Sequence, residues 1–334
     1  MIPLSTYHCQ DTDWKKALAT AIRQPSELLR AVGLSTEQLP EPIDDAADFP
    51  LRVPRVYVER MQHGDPADPL LRQVLALRRE RETPTGYNLD PVGDGPATRC
   101  PGLLQKYHGR ALIVTTGACP IHCRYCFRRH FPYGEARASA DDWRDTLAHI
   151  TADASISEVI LSGGDPLNLD TPRLRALSEG LRNIPHIRRL RIHTRMPVVL
   201  PQRIDDEFLV WLAELPWRTV VVIHANHANE IDGAVARGLH RIQAAGATLL
   251  NQAVLLQGVN DSMMALAGLS ENLFEAGVLP YYLHLLDHVQ GAAHFAVGEA
   301  RARELMEQLR QQLPGYLVPR LVREQAGAPY KQLV

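Results

Sequence analysis

The sequence contains no apolar run approaching the roughly 18 residues of a membrane-spanning helix, which excludes a helical transmembrane protein. Its opening, Met1-Ile2-Pro3-Leu4-Ser5, lacks the basic and apolar blocks of a secretory signal. A cytoplasmic protein with no membrane partner is therefore expected. Charge of one sign is not in excess either: 36 Lys and Arg face 38 Asp and Glu, for a formal net charge of -2. No global field draws in nucleic acid, so small-molecule chemistry is the default. Low-complexity tracts and internal repeats are absent apart from an alternation of strand and helix patterns. With 45% hydrophobic and 22% charged residues over 334 positions, the chain reads as a soluble globular protein with ample core. Cysteine is scarce and odd in number, at five. Cys119, Cys123 and Cys126 fall together, whereas Cys9 and Cys100 stand alone and read as structural. In a reducing compartment this distribution favours ligands over disulfides.

From residue 111 onward, short β-branched runs alternate with helix-length amphipathic stretches. Strands are expected at 111–116, 158–162, 190–194, 219–224, 247–255 and 280–285, and helices near 141–152, 172–183, 205–214, 230–245, 262–276 and 299–312. Such βα units imply right-handed crossovers and a parallel sheet. A closed eight-stranded barrel needs more chain than this. The expected fold is thus α/β, an incomplete, open (β/α)6-type barrel over 111–312. Residues 1–110 read as an N-terminal helical cap, with helices at 14–30 and 69–81 and a Gly-, Pro- and Asp-rich loop over 88–102. Residues 313–334 form a C-terminal segment in which 317–323 could add one more strand.

Directly after the first expected strand, Cys119-Pro120-Ile121-His122-Cys123-Arg124-Tyr125-Cys126 reads C-x3-C-x2-C. Three thiolates on one loop can hold three irons of a [4Fe–4S] cluster and leave the fourth open to a chelating ligand. A zinc site completed by His122 or His130, and plainly buried cysteines, are the alternatives that spacing alone leaves open.

With Tyr125 before the last cysteine, this motif resembles the signature of radical S-adenosylmethionine (radical SAM) enzymes. The turn Ser162-Gly163-Gly164-Asp165 after the second strand resembles that family's glycine-rich element. The resemblance implies that the open iron binds the amino and carboxylate groups of S-adenosylmethionine, which one electron cleaves to methionine and a 5′-deoxyadenosyl radical. It implies S-adenosylmethionine contacts from Tyr125, Ser162, Gly163, Gly164, Asp165, His224 and Gln252. Its electron comes from a low-potential donor such as flavodoxin or ferredoxin.

Further stretches are similar to the lysine 2,3-aminomutase branch, above all to EpmB-type enzymes that make β-lysine for elongation factor P. They include Cys126-Phe127-Arg128-Arg129, Arg195-Met196-Pro197-Val198-Val199-Leu200-Pro201-Gln202-Arg203-Ile204 and His224-Ala225-Asn226-His227-Ala228-Asn229-Glu230. The likeness runs over about residues 50–334 and implies an isomerase that moves the amino group of free L-lysine from C2 to C3. Pyridoxal phosphate is a second implied cofactor, held covalently on Lys331, with Lys106, Tyr107 and Arg110 at its phosphate. Taken alone, Lys331 is a solvated tail residue and Lys106–Arg110 a basic loop. The resemblance also implies that Arg128 pairs with the substrate carboxylate and that Asp287 and Glu324 grip its distal ammonium. Glu324 stands where the family has aspartate, which could alter pose or product hand, and (R)-β-lysine is the expected product. Zinc is not expected, since Ser262 replaces a family cysteine and the family's zinc-linked extension is lacking. The product is expected to pass to a β-lysine ligase acting on elongation factor P. A catabolic or osmolyte-producing aminomutase, and a non-catalytic iron–sulfur or zinc-binding protein, are the competing readings.

Overall fold

A computed structural model describes residues 13–134 and 143–334. Cys9 and the first residues of the helix expected at 141–152 lie outside the described residues. One ten-stranded sheet organises the chain, and its strands follow one another in sequence order from β1 to β10 without the two ends meeting. The strands are β1 (Thr98–Cys100), β2 (Leu103–Leu104), β3 (Arg110–Thr116), β4 (Glu158–Gly163), β5 (Arg189–Thr194), β6 (Arg218–Ile223), β7 (Thr248–Val254), β8 (Leu279–His284), β9 (Arg320–Arg323) and β10 (Gln332–Leu333). From β3 to β9 every pair is parallel, while β1–β2, β2–β3 and β9–β10 are antiparallel. This is the open α/β partial barrel expected from the repeating units, extended at both edges by short strands from segments read as loop and tail.

The parallel strands form where β-branched and leucine runs sit between helices. In β4 every residue after Glu158 is buried, as a strand covered on both faces requires. The crossover helices begin at short side chains that accept the first free amides. Asp170, Asp205, Asp232 and Ser262 take bonds from Arg173 N, Phe208 N, Val235 N and Ala265 N. Ser262 thus has a local task as a helix cap. The helices over Thr171–Arg182, Gly233–Ala244 and Glu299–Gln312 each bury one largely apolar stripe in the core.

Two expected helices of the N-terminal region are broken. The one expected at 14–30 becomes Trp14–Ala19 and Pro25–Ala31, because Ile22 leaves the helix to exchange backbone bonds of 2.8 and 3.0 Å with Val53. Pro25 then starts the second helix, where its missing amide costs nothing. The helix expected at 69–81 is a single turn, Pro69–Arg72, followed after a gap by the 3-10 turn Arg78–Arg81. In that gap Leu77 bridges Ile43. Buried residues of this region, among them Leu28, Val53, Tyr57 and Leu70, share one contiguous core with the sheet.

Leu190 of β5 is fully buried at the centre of that core. Leu190→Ala is expected to destabilise the protein by about 2–5 kcal/mol, from lost burial plus the residual cavity. A urea titration followed by tryptophan fluorescence checks this as a lowered midpoint with unchanged slope.

Candidate active site

The C-terminal ends of the parallel strands open into a cavity of ≈ 300 Å³. Its wall includes every residue that the resemblance assigns to a cofactor or substrate: Cys119, Cys123, Tyr125, Cys126 and Arg128 from the loop after β3; Ser162 and Gly163 at the end of β4 with Gly164 and Asp165 after it; His224 after β6 and Gln252 on β7; Asp287 after β8; Lys106 and Tyr107 before β3 and Arg110 at its start; and Glu324 and Lys331 between β9 and β10.

The two glycines explain how the cysteine loop is seated. A Cβ on Gly163 would lie 2.6 Å from Thr116 O, and one on Gly164 would lie 2.4 Å from Ala118 O. Gly164 N and Asp165 N donate to those same two carbonyls at 2.7 and 2.9 Å. The turn is therefore locked directly onto the backbone leading into the cysteines, and only glycine permits the approach. Asp165 lines the cavity but has no free acceptor to offer a ligand. Oδ1 takes bonds from Thr194 Oγ1 (2.7 Å) and Leu167 N (3.0 Å), and Oδ2 from Arg195 N (2.7 Å) and Met196 N (3.1 Å). Burial lifts its carboxyl to about 6 against those bonds. In the structure Asp165 is a brace between the glycine turn and the end of β5.

The three thiols face this space from one loop. Burial raises Cys119 and Cys126, the latter to about 11, with neighbouring cysteines adding to the effect. Thiols so placed become thiolates when a bound metal supplies compensating positive charge. Among the described residues no three His, Cys, Asp or Glu side chains converge on a single metal ion. In a cluster each thiolate would hold a different iron. Cys123 Sγ accepts from Arg195 Nη1 at 2.7 Å. Around the remaining wall, His193, His224 and His284 each present an Nε2 without a hydrogen-bond partner, and Gln252 a free Nε2. Burial depresses all three imidazoles, His224 to about 3, so they are neutral near pH 7. Buried orphan nitrogens of this kind fit a polar ligand such as S-adenosylmethionine.

Along the opposite wall charges alternate. Arg128 Nε donates to Asp94 Oδ2 at 2.6 Å, Lys106 Nζ lies 2.7 Å from Asp94 Oδ1 and 3.7 Å from Glu324 Oε1, and Lys331 pairs with Glu324. Tyr107 Oη also donates to Glu324, at 2.6 Å. Despite burial, Lys331 and these donors hold Glu324 below the ordinary carboxylate range. Asp287 differs: burial pushes it up to about 7, opposed by Lys331 and reinforced by Glu324. Arg110 lies 5.1 Å over the Tyr107 ring and makes no ion pair among the described residues. Of the phosphate candidates, Arg110 alone is uncommitted, because Lys106 is taken by Asp94 and Val92 O and the Tyr107 hydroxyl by Glu324.

Residues 113–267 match the sequence profile of the radical SAM superfamily. Over 324 residues the chain is 46% identical to an L-lysine 2,3-aminomutase of Haemophilus influenzae, covering 97% of this chain and 96% of that protein. The chain belongs to the L-lysine 2,3-aminomutase family. It is an isomerase built on a radical SAM domain. An L-lysine 2,3-aminomutase of Escherichia coli is also 46% identical, over 96% of this chain and 93% of its own. Among solved structures, a radical SAM methyltransferase from Sphaerobacter thermophilus superposes with a TM-score of 0.47 at 16% identity, over 66% of this chain and 68% of its own.

Several residues of the site had no role in the sequence reading. Asp94 sits in a loop whose composition signals only a turn. His193 and His284 are single polar residues at strand ends, and Arg191 is a strand residue that also lines the cavity. Arg195, Asn226 and Glu230 do lie in the stretches that carried the resemblance, yet nothing local marks them as one buried network.

Gly164→Ala is expected to lower the thermal unfolding midpoint and the iron bound per chain after anaerobic reconstitution, since backbone must shift to admit the methyl group. Gly315→Ala, with open space around its Cβ position, should change neither, as iron analysis and calorimetry will show.

Proposed function

We propose that this chain converts free L-lysine to β-lysine by 2,3-amino migration, with (R)-β-lysine as product. The observation that carries the reading is the charged wall: a buried arginine at one end, and two enclosed carboxyl groups beside a lysine at the other. Free lysine has the complementary charges, a carboxylate at one end and an ammonium at the other.

The residues divide the work by chemistry. Arg128 is held at Nε by Asp94 and at Nη1 by Ser162 Oγ, 3.3 Å away, which fixes the plane of its guanidinium. A planar fork so oriented takes a carboxylate through the donors that remain. Asp287 and Glu324 take the distal ammonium. Glu324 now holds a lysine ammonium, that of Lys331, which supports its fitness for the same group on a substrate. Lys331 would carry pyridoxal phosphate, with Arg110 as the phosphate's leading cation. Cys119, Cys123 and Cys126 would hold the [4Fe–4S] cluster, and His224, Gln252 and Ser162 would line the S-adenosylmethionine site. When bound, the cluster and S-adenosylmethionine supply hydrogen abstraction, and pyridoxal phosphate supplies a delocalising ring for the migrating amine. The chain's own contribution is alignment of C3 and exclusion of water and oxygen.

The finer reading is a cytoplasmic enzyme that receives electrons from flavodoxin or ferredoxin, needs no zinc, and supplies β-lysine to a ligase modifying elongation factor P. The long motif resemblance supports it, as does Ser262 acting as a helix cap. The segment 1–110 would act as a cap, 111–312 as the radical barrel and 313–334 as the carrier of Lys331.

Anaerobically reconstituted protein given S-adenosylmethionine, pyridoxal phosphate, a reductant and L-lysine should yield β-lysine of one dominant hand by chiral chromatography. Formation of 5′-deoxyadenosine without β-lysine would overturn the substrate assignment. Lys331→Ala should abolish β-lysine formation and the visible absorbance of bound pyridoxal phosphate while leaving the iron content intact.

The state of Asp287 sets a pH dependence. A carboxyl titrating near 7 gains a proton as pH falls through that value and loses the charge that attracts ammonium. KM for lysine is therefore expected to rise from pH 8 to pH 6 with a smaller change in kcat, and Asp287→Asn should remove the trend. Steady-state kinetics over that range provide the check.

A further inference from the structure

The cysteine loop has two faces. One looks into the cavity, where Phe49 also reaches the wall; against the other lie residues 50–53 of the N-terminal region. Phe49 stacks on His122 with ring centres 4.8 Å apart, His122 Nδ1 lies 2.8 Å from Pro50 O, and His122 N donates to Arg52 O at 3.0 Å. Arg52 is thus one hydrogen bond from the loop that carries Cys119 and Cys123, and its charge acts on Cys119. The antiparallel bridge between Ile22 and Val53 sets Arg23, the next residue on one side, opposite Arg52, the preceding residue on the other. The two guanidinium groups repel each other. Neither has an ion-pair partner among the described residues, and Arg52 Nε lacks a hydrogen-bond partner. In the adjoining loop Glu41 pairs with Arg79 and Asp44 with Arg81, Asp48 acts on Arg81, and no carboxylate is among the charges acting on Arg52. His122 does not add to the charge, since burial depresses its imidazole. Arg23 is exposed and Arg52 half-buried, so this positive pair reaches the surface beside the stretch of chain between Cys119 and Cys123.

Two like charges held side by side without a counter-ion are unfavourable in the free protein and are relieved by an acidic partner. The radical reading requires one electron per cluster reduction from outside the chain. We propose that Arg23 and Arg52 anchor the docking surface for an acidic, low-potential one-electron carrier protein, which reduces the cluster through the outer face of the cysteine loop. In that step the carrier loses one electron and the cluster goes from the 2+ to the 1+ state, with no bond made or broken in the chain. This rests on the reading of Cys119, Cys123 and Cys126 as cluster ligands.

The test is stopped-flow bleaching of the cluster's visible absorbance in the reconstituted enzyme without lysine, with reduced flavodoxin as carrier and with reduced methyl viologen, a small cation, for comparison. R23E/R52E should slow reduction by flavodoxin roughly tenfold at low ionic strength, with the difference shrinking as salt is added. Reduction by methyl viologen should not slow. R23K/R52K should keep most of the wild-type rate, and Arg218→Glu, at the exposed opposite end of β6, should keep all of it. Equal flavodoxin rates in wild type and R23E/R52E would overturn the docking surface. So would equal slowing with both reductants, which would assign the arginines to the integrity of the loop. Absence of a cluster in the reconstituted wild-type protein would instead overturn the reading beneath the proposal.

Discussion

One buried ion pair ties the parts of this molecule together. Arg195, immediately after β5, donates to Glu230 at 2.6 Å, and both are shut off from solvent. The same guanidinium bonds Gln73 Oε1 at 2.9 Å, Tyr57 Oη at 3.2 Å, Tyr125 Oη at 2.5 Å and Cys123 Sγ at 2.7 Å. Asn226 joins by donating to Tyr125 Oη and Gln73 Oε1, and its own Oδ1 accepts from Val254 N. A single cation thereby connects the N-terminal region, the cysteine loop and the ends of β5, β6 and β7. A buried pair of this kind adds little net stability, because desolvation offsets the attraction; removing one partner typically costs about 3–5 kcal/mol. Its value lies in register. Each element can satisfy its buried polar atoms only when all the others are in place.

The charged wall of the cavity follows the same logic with a different result. Arg128, Asp94, Lys106, Glu324 and Lys331 alternate in sign, so each charge has a neighbour and none is stranded in a medium of low dielectric. Under the proposed function, a zwitterionic amino acid with a distal ammonium would exchange its own charges for those at the ends of this wall. Glu324 gains from its extra methylene here. Its two oxygens serve Tyr107 and Lys331, on opposite sides of the chain's fold, and approach Lys106 as well. Asp287 has no such side-chain partners among the described residues, and burial dominates its titration.

Much of this architecture was legible in the amino-acid order because strands buried on both faces write long β-branched runs. The strands from β3 to β8 match the expected positions to within a residue or so at each end, and the helix over Glu299–Gln312 matches at both. The N-terminal region was not legible. Trp14 to Arg30 has the composition of one helix, but the pairing of Ile22 with Val53, more than 30 positions away, outweighs local propensity. Among site residues, the cysteines declare themselves by spacing. Asp94 could not, because a carboxylate in a Gly- and Pro-rich turn has no pattern until the fold brings Arg128 and Lys106 to it. The bracing role of Asp165 was hidden for a similar reason: the residues that bond its oxygens, Thr194 to Met196, arrive from the next strand.

An open sheet has two edges, and unpaired edges invite unwanted pairing. This chain ends its sheet on very short strands, β1 at one side and β10 at the other, each antiparallel to its neighbour. Both are followed or preceded closely by residues of the cavity. Lys106 and Tyr107 lie in the connection from β2 to β3, and Lys331 directly precedes β10. Pairing of Gln332 with Arg323 is what turns the chain so that a lysine near its end faces inward to Glu324. Covering the edges and furnishing the charged wall are consequently one structural act. A barrel closed on itself would have needed no such covers, and would have left no gap for side chains near the two edges, Tyr107 on one side and Glu324 and Lys331 on the other, to bridge.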